Sequence, residues 1–343
     1  MIDGDILRQL FRSFADHDDS AFKAAALTLI REERGKNHRL LADDLEKLLF
    51  TRNGKPATQK KPNSEVPRDR ERDFPLIDLS YPEIGWERLV IKEATFRVLQ
   101  RVAEENRRRE TLLTAGLQPS QRLLFYGPPG SGKTLAAGVL ASVLNRPLVT
   151  VRFDAVVSSY LGETAANLRR VFDFVALNTY VVLFDEFDAL GKDRDNAFEH
   201  GELKRVVNSL LQLLDAAKGQ SVLVAATNHE GLLDSAIWRR FDSIIRFDVP
   251  SGQERVLMLR SFLRGFLSVD LRLDLLARGL ERATGADIER VCIAAARNAI
   301  LESRNKVERS DFEMPLAEFR ERLPLQKTGR ARSIIRPATR RKQ

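Results

Sequence analysis

The densest chemical signal in the chain is Gly127-Pro128-Pro129-Gly130-Ser131-Gly132-Lys133-Thr134. Glycines at this spacing let the backbone turn so that successive N–H groups surround a phosphate, and the helix that follows adds positive potential at its N-terminus. The stretch comes after an apolar run, Arg122 to Tyr126, and opens a helical pattern from Leu135 onward, the context that a P-loop requires. Lys133 is then placed to reach β and γ phosphates, Thr134 to hold Mg²⁺, and Leu135 to complete the nucleotide-binding stretch. A second constellation is Val181-Val182-Leu183-Phe184-Asp185-Glu186, an apolar strand ending in two carboxylates. Buried acids are costly unless they hold a metal or act on substrate. Asp185 is therefore expected to hold Mg²⁺ through water and Glu186 to polarise an attacking water. The plain alternative is a pair of exposed acids at a strand end.

These residues need a scaffold, and the hydrophobic pattern supplies one. Arg122 to Tyr126, Leu148 to Phe153, Val181 to Phe184, Ser221 to Thr227 and Ser243 to Phe247 read as buried strands separated mostly by amphipathic stretches, which predicts an α/β fold with a parallel sheet. Helical spacing in Ile6 to Phe14, Phe22 to Ile30 and Leu40 to Leu49 predicts a three-helix N-terminal module over residues 1–50. Residues 51–73, with Pro56, Pro62 and Pro67 among many charges, read as a flexible linker. The nucleotide-binding domain is expected over 74–250. Gln253 to Arg264, Asp274 to Gly279, Ala286 to Ser303 and Asp311 to Arg322 predict a small α-helical domain over 251–326, followed by a basic, disordered tail over 327–343.

Composition excludes several classes. With 343 residues, 43% hydrophobic and 30% charged, the chain is not disordered throughout, collagenous or a coiled coil. Its one cysteine, Cys292, cannot close an intrachain disulfide, and no Cys/His cluster has zinc spacing. The net charge of +8 suggests nucleic acid, but seven basic residues without an acid lie from Lys327 onward, and without them 49 basic residues face 48 acidic ones. The high pI belongs to the tail, so nucleic-acid contact is expected only there. Asp3 and Asp5 disfavour a secretory signal, and no apolar run approaches membrane-spanning length, so the expectation is a soluble, cytoplasmic protein with no membrane contact.

From about Leu79 to Glu302 the motifs and their order resemble the AAA ATPases in the narrow sense, which include proteasomal, microtubule-severing and membrane-complex-disassembling ATPases. The resemblance implies a P-loop AAA large domain followed by a helical lid, with ATP and Mg²⁺ as ligands. It makes Asn228, in Ala225-Ala226-Thr227-Asn228, the sensor that positions water and reads the γ-phosphate. Without the family, an Asn after a strand is most often a turn residue. Asp234 to Asp242 resembles the arginine-finger segment, so Arg239 and Arg240 would enter the neighbouring subunit's ATP site, where a guanidinium stabilises charge on the transferring phosphoryl group. Gly285-Ala286-Asp287 is similar to the adenosine-contacting turn, with Asp287 capping the helix. Ile84-Gly85-Trp86 resembles the segment over adenine, through Gly85. Glu289 follows Ile288, and Arg290 is one position late for the sensor arginine of more distant relatives, as in the narrow clade.

Ser158 to Thr164 resembles the loop that places an aromatic and a hydrophobic residue, here Tyr160 and Leu161, in the central pore of a hexamer. Asn196 to Gly201 is the expected second pore loop. The resemblance thus implies a homo-hexamer that unfolds or remodels a polypeptide substrate. His229-Glu230 lacks the second histidine of a metalloprotease motif, and Arg341-Lys342-Gln343 lacks the hydrophobic-Tyr tail with which proteasomal ATPases dock. Proteolysis would belong to a separate partner. The N-terminal module with Arg34-Gly35-Lys36-Asn37-His38 resembles stand-alone bacterial AAA proteins encoded beside subtilisin-like proteases and linked to defence. A nucleic-acid-handling ATPase and a nucleotide-gated assembly switch are the alternatives.

Overall fold

The computed structural model describes residues 12–13, 19–35, 66–70, 73–156, 161–186, 209–217, 219–228, 238–268 and 270–331. The chain divides into two compact units, Met1–Asn63 and Ser64–Gln343. In the first, helix α1 spans Asp19–Gly35 and buries Ala25, Leu29 and Ile30, which share one face at i, i+4 and i+5. The other two helices expected there lie outside the described residues, apart from the helical pair 12–13.

The second unit is built on a six-stranded sheet in the order β1-β3-β4-β5-β2-β6. The strands are β1 Ile77–Ser80, β2 Arg122–Tyr126, β3 Leu148–Val151, β4 Val181–Phe184, β5 Val222–Thr227 and β6 Ser243–Arg246. All pairings are parallel except that of β1, which runs antiparallel along β3 at the edge. Helices α2 (Glu93–Arg107) and α4 (Lys133–Val143) cover one face, and α6 (Leu161–Ala176) and the helical stretch 209–216 cover the other. Short helices α3 (Arg109–Thr114) and α5 (Phe153–Val156) precede β2 and follow β3.

Two-sided cover explains the uninterrupted apolar runs. Leu123, Phe125, Val181 and Leu183 point to the α2/α4 side, while Leu124, Val182 and Phe184 point to the α6 side, so strand alternation fills both layers. Phe153 was expected in β3 but starts α5. There its ring reaches the same core, 6.4 Å from that of Phe184.

Two boundaries differ from expectation. The polar segment before residue 74 is not all linker. Val66 packs against the core, and Asp69, only 7% exposed, accepts a 2.7 Å hydrogen bond from the Nδ2 of Asn167 on α6. Leu76 N also donates to the Pro67 carbonyl. A buried carboxylate with an amide partner is stable where composition alone suggests solvent.

The helical domain contains α7 Gly252–Phe262, α8 Leu273–Gly279, α9 Gly285–Leu301 and α10 Glu313–Ala331. α9 buries Ile288, Val291, Cys292, Ala295 and Ala299 as one stripe against the rest of the domain. α10 continues past Arg322, carrying Lys327 and Arg330 of the expected tail, and Leu323 still packs against the helical-domain core. Residues 332–343 lie outside the described residues.

Burial, with the Glu289 carboxylate adding to it, pushes the Cys292 thiol up to about 12. The native protein is therefore expected to leave Cys292 unalkylated by iodoacetamide at mildly alkaline pH, and urea that opens the helical domain should make it reactive, because only the thiolate attacks. Rapid labelling of the native chain would contradict this packing.

Candidate active site

Parallel strands bring their carboxyl ends to one edge, and the strand order decides what meets there. β5 lies between β4 and β2, so the residues that follow these three strands, Asp185, Asn228 and Gly127, line up along that edge. No sequence spacing reveals this order.

The loop after β2 is held in a shape that needs glycine at two places. Gly127 has φ +149°, and a Cβ there would lie 2.0 Å from the Phe247 carbonyl oxygen. Gly130 has φ +73°, and its Cβ would meet Thr284 Oγ1 at 2.8 Å and Ala286 Cβ at 2.9 Å. Gly130 is therefore where the loop touches the helical domain. Its carbonyl also accepts a 3.1 Å bond from Ala286 N, a free donor in the first turn of α9.

Lys133 opens α4 and is 6% exposed. Its Nζ donates to the carbonyls of Gly127 and Pro128, both at 2.9 Å, and to Asn228 Oδ1 at 2.8 Å. The ammonium is thus held by the loop it serves and by the expected sensor. Thr134 Oγ1 donates to Asp185 Oδ2 at 2.6 Å. Asp185 is half-buried, and its other oxygen accepts from Glu186 N at 2.9 Å. Glu186 is exposed and has φ +52°, a backbone region that a non-glycine residue enters at a cost. The turn directs it off the strand axis.

These groups line a cavity of about 420 Å³ together with Pro129–Leu135. That is within the size range of small-molecule sites. The loop fits a polyphosphate: its turns are made by two glycines, and buried Ser131 Oγ has no hydrogen-bond partner among the described residues. Thr134 and Asp185 offer a hard cation two oxygens, with further ligands left to phosphate and water, the usual mode for Mg²⁺.

The apolar end of the cavity differs from the expected one. Gly85 does not line it. Ile84 N instead donates to Ser142 Oγ on α4, Trp86 packs edge-on against Phe96, and the lining comes from Leu89–Ile91, with Met258 and Phe262 of α7 and Gly285 and Ala286 of α9. Leu89, Val90 and Ile91 were missed, although an apolar triplet just after the resembling segment was the available signal. Asp287 is likewise not the N-cap. Thr284 occupies that position, and Asp287 completes a capping box in which Asp287 N donates to Thr284 Oγ1 and Thr284 N donates to Asp287 Oδ2. The pattern Thr284-x-x-Asp287 carried that signal.

Arg239 and Arg240 lie outside the cavity. Arg239 is exposed, and Arg240 is ion-paired with Asp215 at the end of the helical stretch 209–216, near the opposite edge of the sheet. Leu161 opens α6, whereas Tyr160 and Asn196 to Gly201 lie outside the described residues.

A phosphate loop, a Thr/Asp cation pair, a carboxylate beyond it and a helical domain closing the apolar end define the class: a P-loop nucleotide-hydrolysing protein with a lid. The family model for the ATPase family associated with various cellular activities (AAA) matches residues 123–249, and that for the AAA+ lid domain matches residues 269–314. The AAA family ATPase y4kL of Sinorhizobium fredii, itself named as uncharacterized, is 39% identical over 325 residues, 93% of this chain and 96% of that protein. A proteasome-activating nucleotidase of Methanothermobacter thermautotrophicus is 33% identical over 68% of this chain and 58% of its own length, and one of Archaeoglobus fulgidus is 34% identical over 68% and 60%. The chain belongs to the AAA ATPase family and is an ATP-binding ATPase. Among the described residues no helix is long and apolar enough to cross a membrane.

Proposed function

We propose that this ATPase is a Mg²⁺-dependent homo-hexameric motor of the cytoplasm that unfolds or remodels polypeptides by drawing them through a central pore, and delivers them to a separate protease. The observation that carries this reading is the placement of the two halves of the chemistry on one strand. The carboxyl end of β2 runs into the phosphate loop, and Arg122 at its amino end lies 3.8 Å from Asp215, the carboxylate that holds Arg240. Five residues of strand span about 17 Å. Arg240 therefore serves a phosphate other than its own, which a neighbouring copy supplies, and repetition of that head-to-tail contact closes a ring.

Within each site Lys133 neutralises phosphate charge, Glu186 polarises the attacking water, and Asn228, bonded to Lys133, positions that water and reads the γ-phosphate. Mg²⁺ held near Thr134 and Asp185 supplies further charge stabilisation of the phosphoryl group. The phosphate loop bonds to the lid through Gly130 and Ala286, so nucleotide exchange shifts the lid relative to the large domain. The relatives named proteasome-activating nucleotidases match 68% and 60% of this chain, and their name supports a motor that works with a proteasome-like partner. The N-terminal unit then selects substrate or partner.

Tyr160 tests the output. It comes directly before α6 and far in sequence from the phosphate-loop and Asp185 motifs, so Tyr160→Ala should leave basal ATP hydrolysis within a few-fold of wild type and abolish unfolding of a tagged fluorescent protein. Tyr160→Phe should retain much of both, because apolar contact and stacking need no hydroxyl. Unfolding by the Ala variant at the wild-type rate would refute the gripping role. Stimulation of hydrolysis by single-stranded DNA through Tyr160, with no protein unfolded by the wild type, would replace the reading with a nucleic-acid motor.

A further inference from the structure

We propose that Asp215 is a positioning residue for Arg240: it grips one edge of the guanidinium and aims the remaining N–H groups at the neighbouring subunit's phosphate. The proposal rests on the trans-acting arginine of the preceding reading.

Four side chains of alternating charge run along the amino edge of the sheet. Arg240 Nη1 donates to Asp215 Oδ2, Asp215 Oδ1 lies 3.8 Å from Arg122 Nη1, and Arg122 Nη2 donates to Asp242 Oδ1 at 3.3 Å. The far end is fixed by backbone, since Asp242 Oδ2 accepts from Gln121 N at 2.9 Å and Arg122 N at 2.8 Å. The near end is fixed by packing. Asp215 follows Leu210, Leu211 and Leu214, all buried in the sheet core, and Trp238 and Phe241 on either side of the arginine pair pack into that same core. Trp238 also meets the Tyr126 ring edge-on at 5.2 Å.

Among the described residues Asp215 is the only hydrogen-bond or ion-pair partner of Arg240, so a single nitrogen is engaged. A guanidinium has five donors in a rigid planar fork, and fixing one edge fixes the direction of the others. The Arg240 side chain is 35% exposed, so it is partly open to solvent and to a neighbouring molecule. Exposed ion pairs add little to stability. Pre-orienting a charged group toward a transition state, in contrast, acts directly on rate. Arg239, one residue earlier, has no such partner among the described residues and is not held in this way. Without the Asp215 carboxylate, no acceptor among the described residues would fix the Arg240 guanidinium, because Asp242 is already taken by Arg122 and two backbone N–H groups, and its free N–H groups would lose their direction.

The test uses the full chain at concentrations where it is assembled, with kcat at saturating ATP and affinity for a fluorescent ATP analogue measured separately. Arg240→Ala should lower kcat about 1000-fold, the scale of a lost arginine finger. Asp215→Asn, nearly isosteric, should lower kcat about tenfold, leave nucleotide affinity unchanged and move the melting temperature by less than about 3 °C. Asp215→Asn added to Arg240→Ala should cost nothing further, because a residue that acts through another has no effect once the other is gone. An impaired Arg240→Ala beside an Asp215→Asn of wild-type kcat overturns the proposal alone, as does a double variant that loses the full product of both effects. Wild-type kcat in Arg240→Ala overturns the trans-arginine reading and this proposal with it.

Discussion

Glu186→Gln is expected to bind ATP with wild-type affinity and to hydrolyse it about 100- to 10,000-fold more slowly, the range spanned by a lost general base. The site explains the separation of the two effects. Glu186 stands exposed beyond the Thr134–Asp185 pair, held by its backbone bond to Asp185 and by its turn conformation, neither of which depends on the side-chain charge. Glutamine keeps the shape and loses the basicity. Lys133→Ala should do the opposite. It removes a buried ammonium and strands three acceptors on Gly127, Pro128 and Asn228, and the loss of a charge-assisted contact to phosphate should weaken binding about 10- to 100-fold or more. Titration of both variants with a fluorescent ATP analogue, followed by single-turnover hydrolysis, separates them. Equal affinity of wild type and Lys133→Ala would contradict the phosphate assignment, and normal turnover by Glu186→Gln would remove Glu186 from the chemistry.

Mixing two inactive variants should restore activity. An Arg239→Ala/Arg240→Ala subunit keeps an intact nucleotide site and has no finger, whereas a Lys133→Ala subunit keeps the finger and has a defective site. Each alone should fall about 1000-fold or more in kcat. In a randomly mixed ring, about a quarter of the interfaces pair an intact site with an intact finger, so activity should return toward that fraction of wild type. The geometry requires this outcome if Arg240, tied to Asp215 at the amino edge, serves a phosphate held at the carboxyl edge of another copy. Hydrolysis by an isolated monomer at the ring's rate, or no recovery on mixing variants that do assemble, would falsify action in trans. ATP should also favour the assembled state, since a ligand bound between subunits stabilises the species that contains the whole site.

What the sequence determined by itself was the chemistry written in contiguous residues. The phosphate loop was legible because its conformation depends on glycines within the loop, and Asp185 and Glu186 because a fully apolar strand precedes them. β2, β3, β4 and β5 were legible for the same reason, since burial on both faces demands an unbroken apolar run, whereas β6 at the sheet edge buries one face only and was legible from its short apolar run Ile244-Ile245. β1 was not, since Ile77-Asp78-Leu79-Ser80 is short and half polar and is a strand only because β3 offers it an edge.

The tertiary structure decided everything that depends on neighbours distant in the chain. The insertion of β5 between β2 and β4 sets Asn228 against Lys133, 95 residues away, and strand order has no local signature. Asp69 belongs to the folded unit because Asn167 meets it, and the apolar end of the nucleotide cavity falls to Leu89–Ile91 because Gly85 and its neighbours pack along α4. The union of Asp215 with Arg240 joins residues 25 apart on separate elements. A side chain's type states what bonds it can make. Which of them it makes is set by the packing of sheet and helices, because burial removes the competing water and leaves only the partner that the fold has brought within reach.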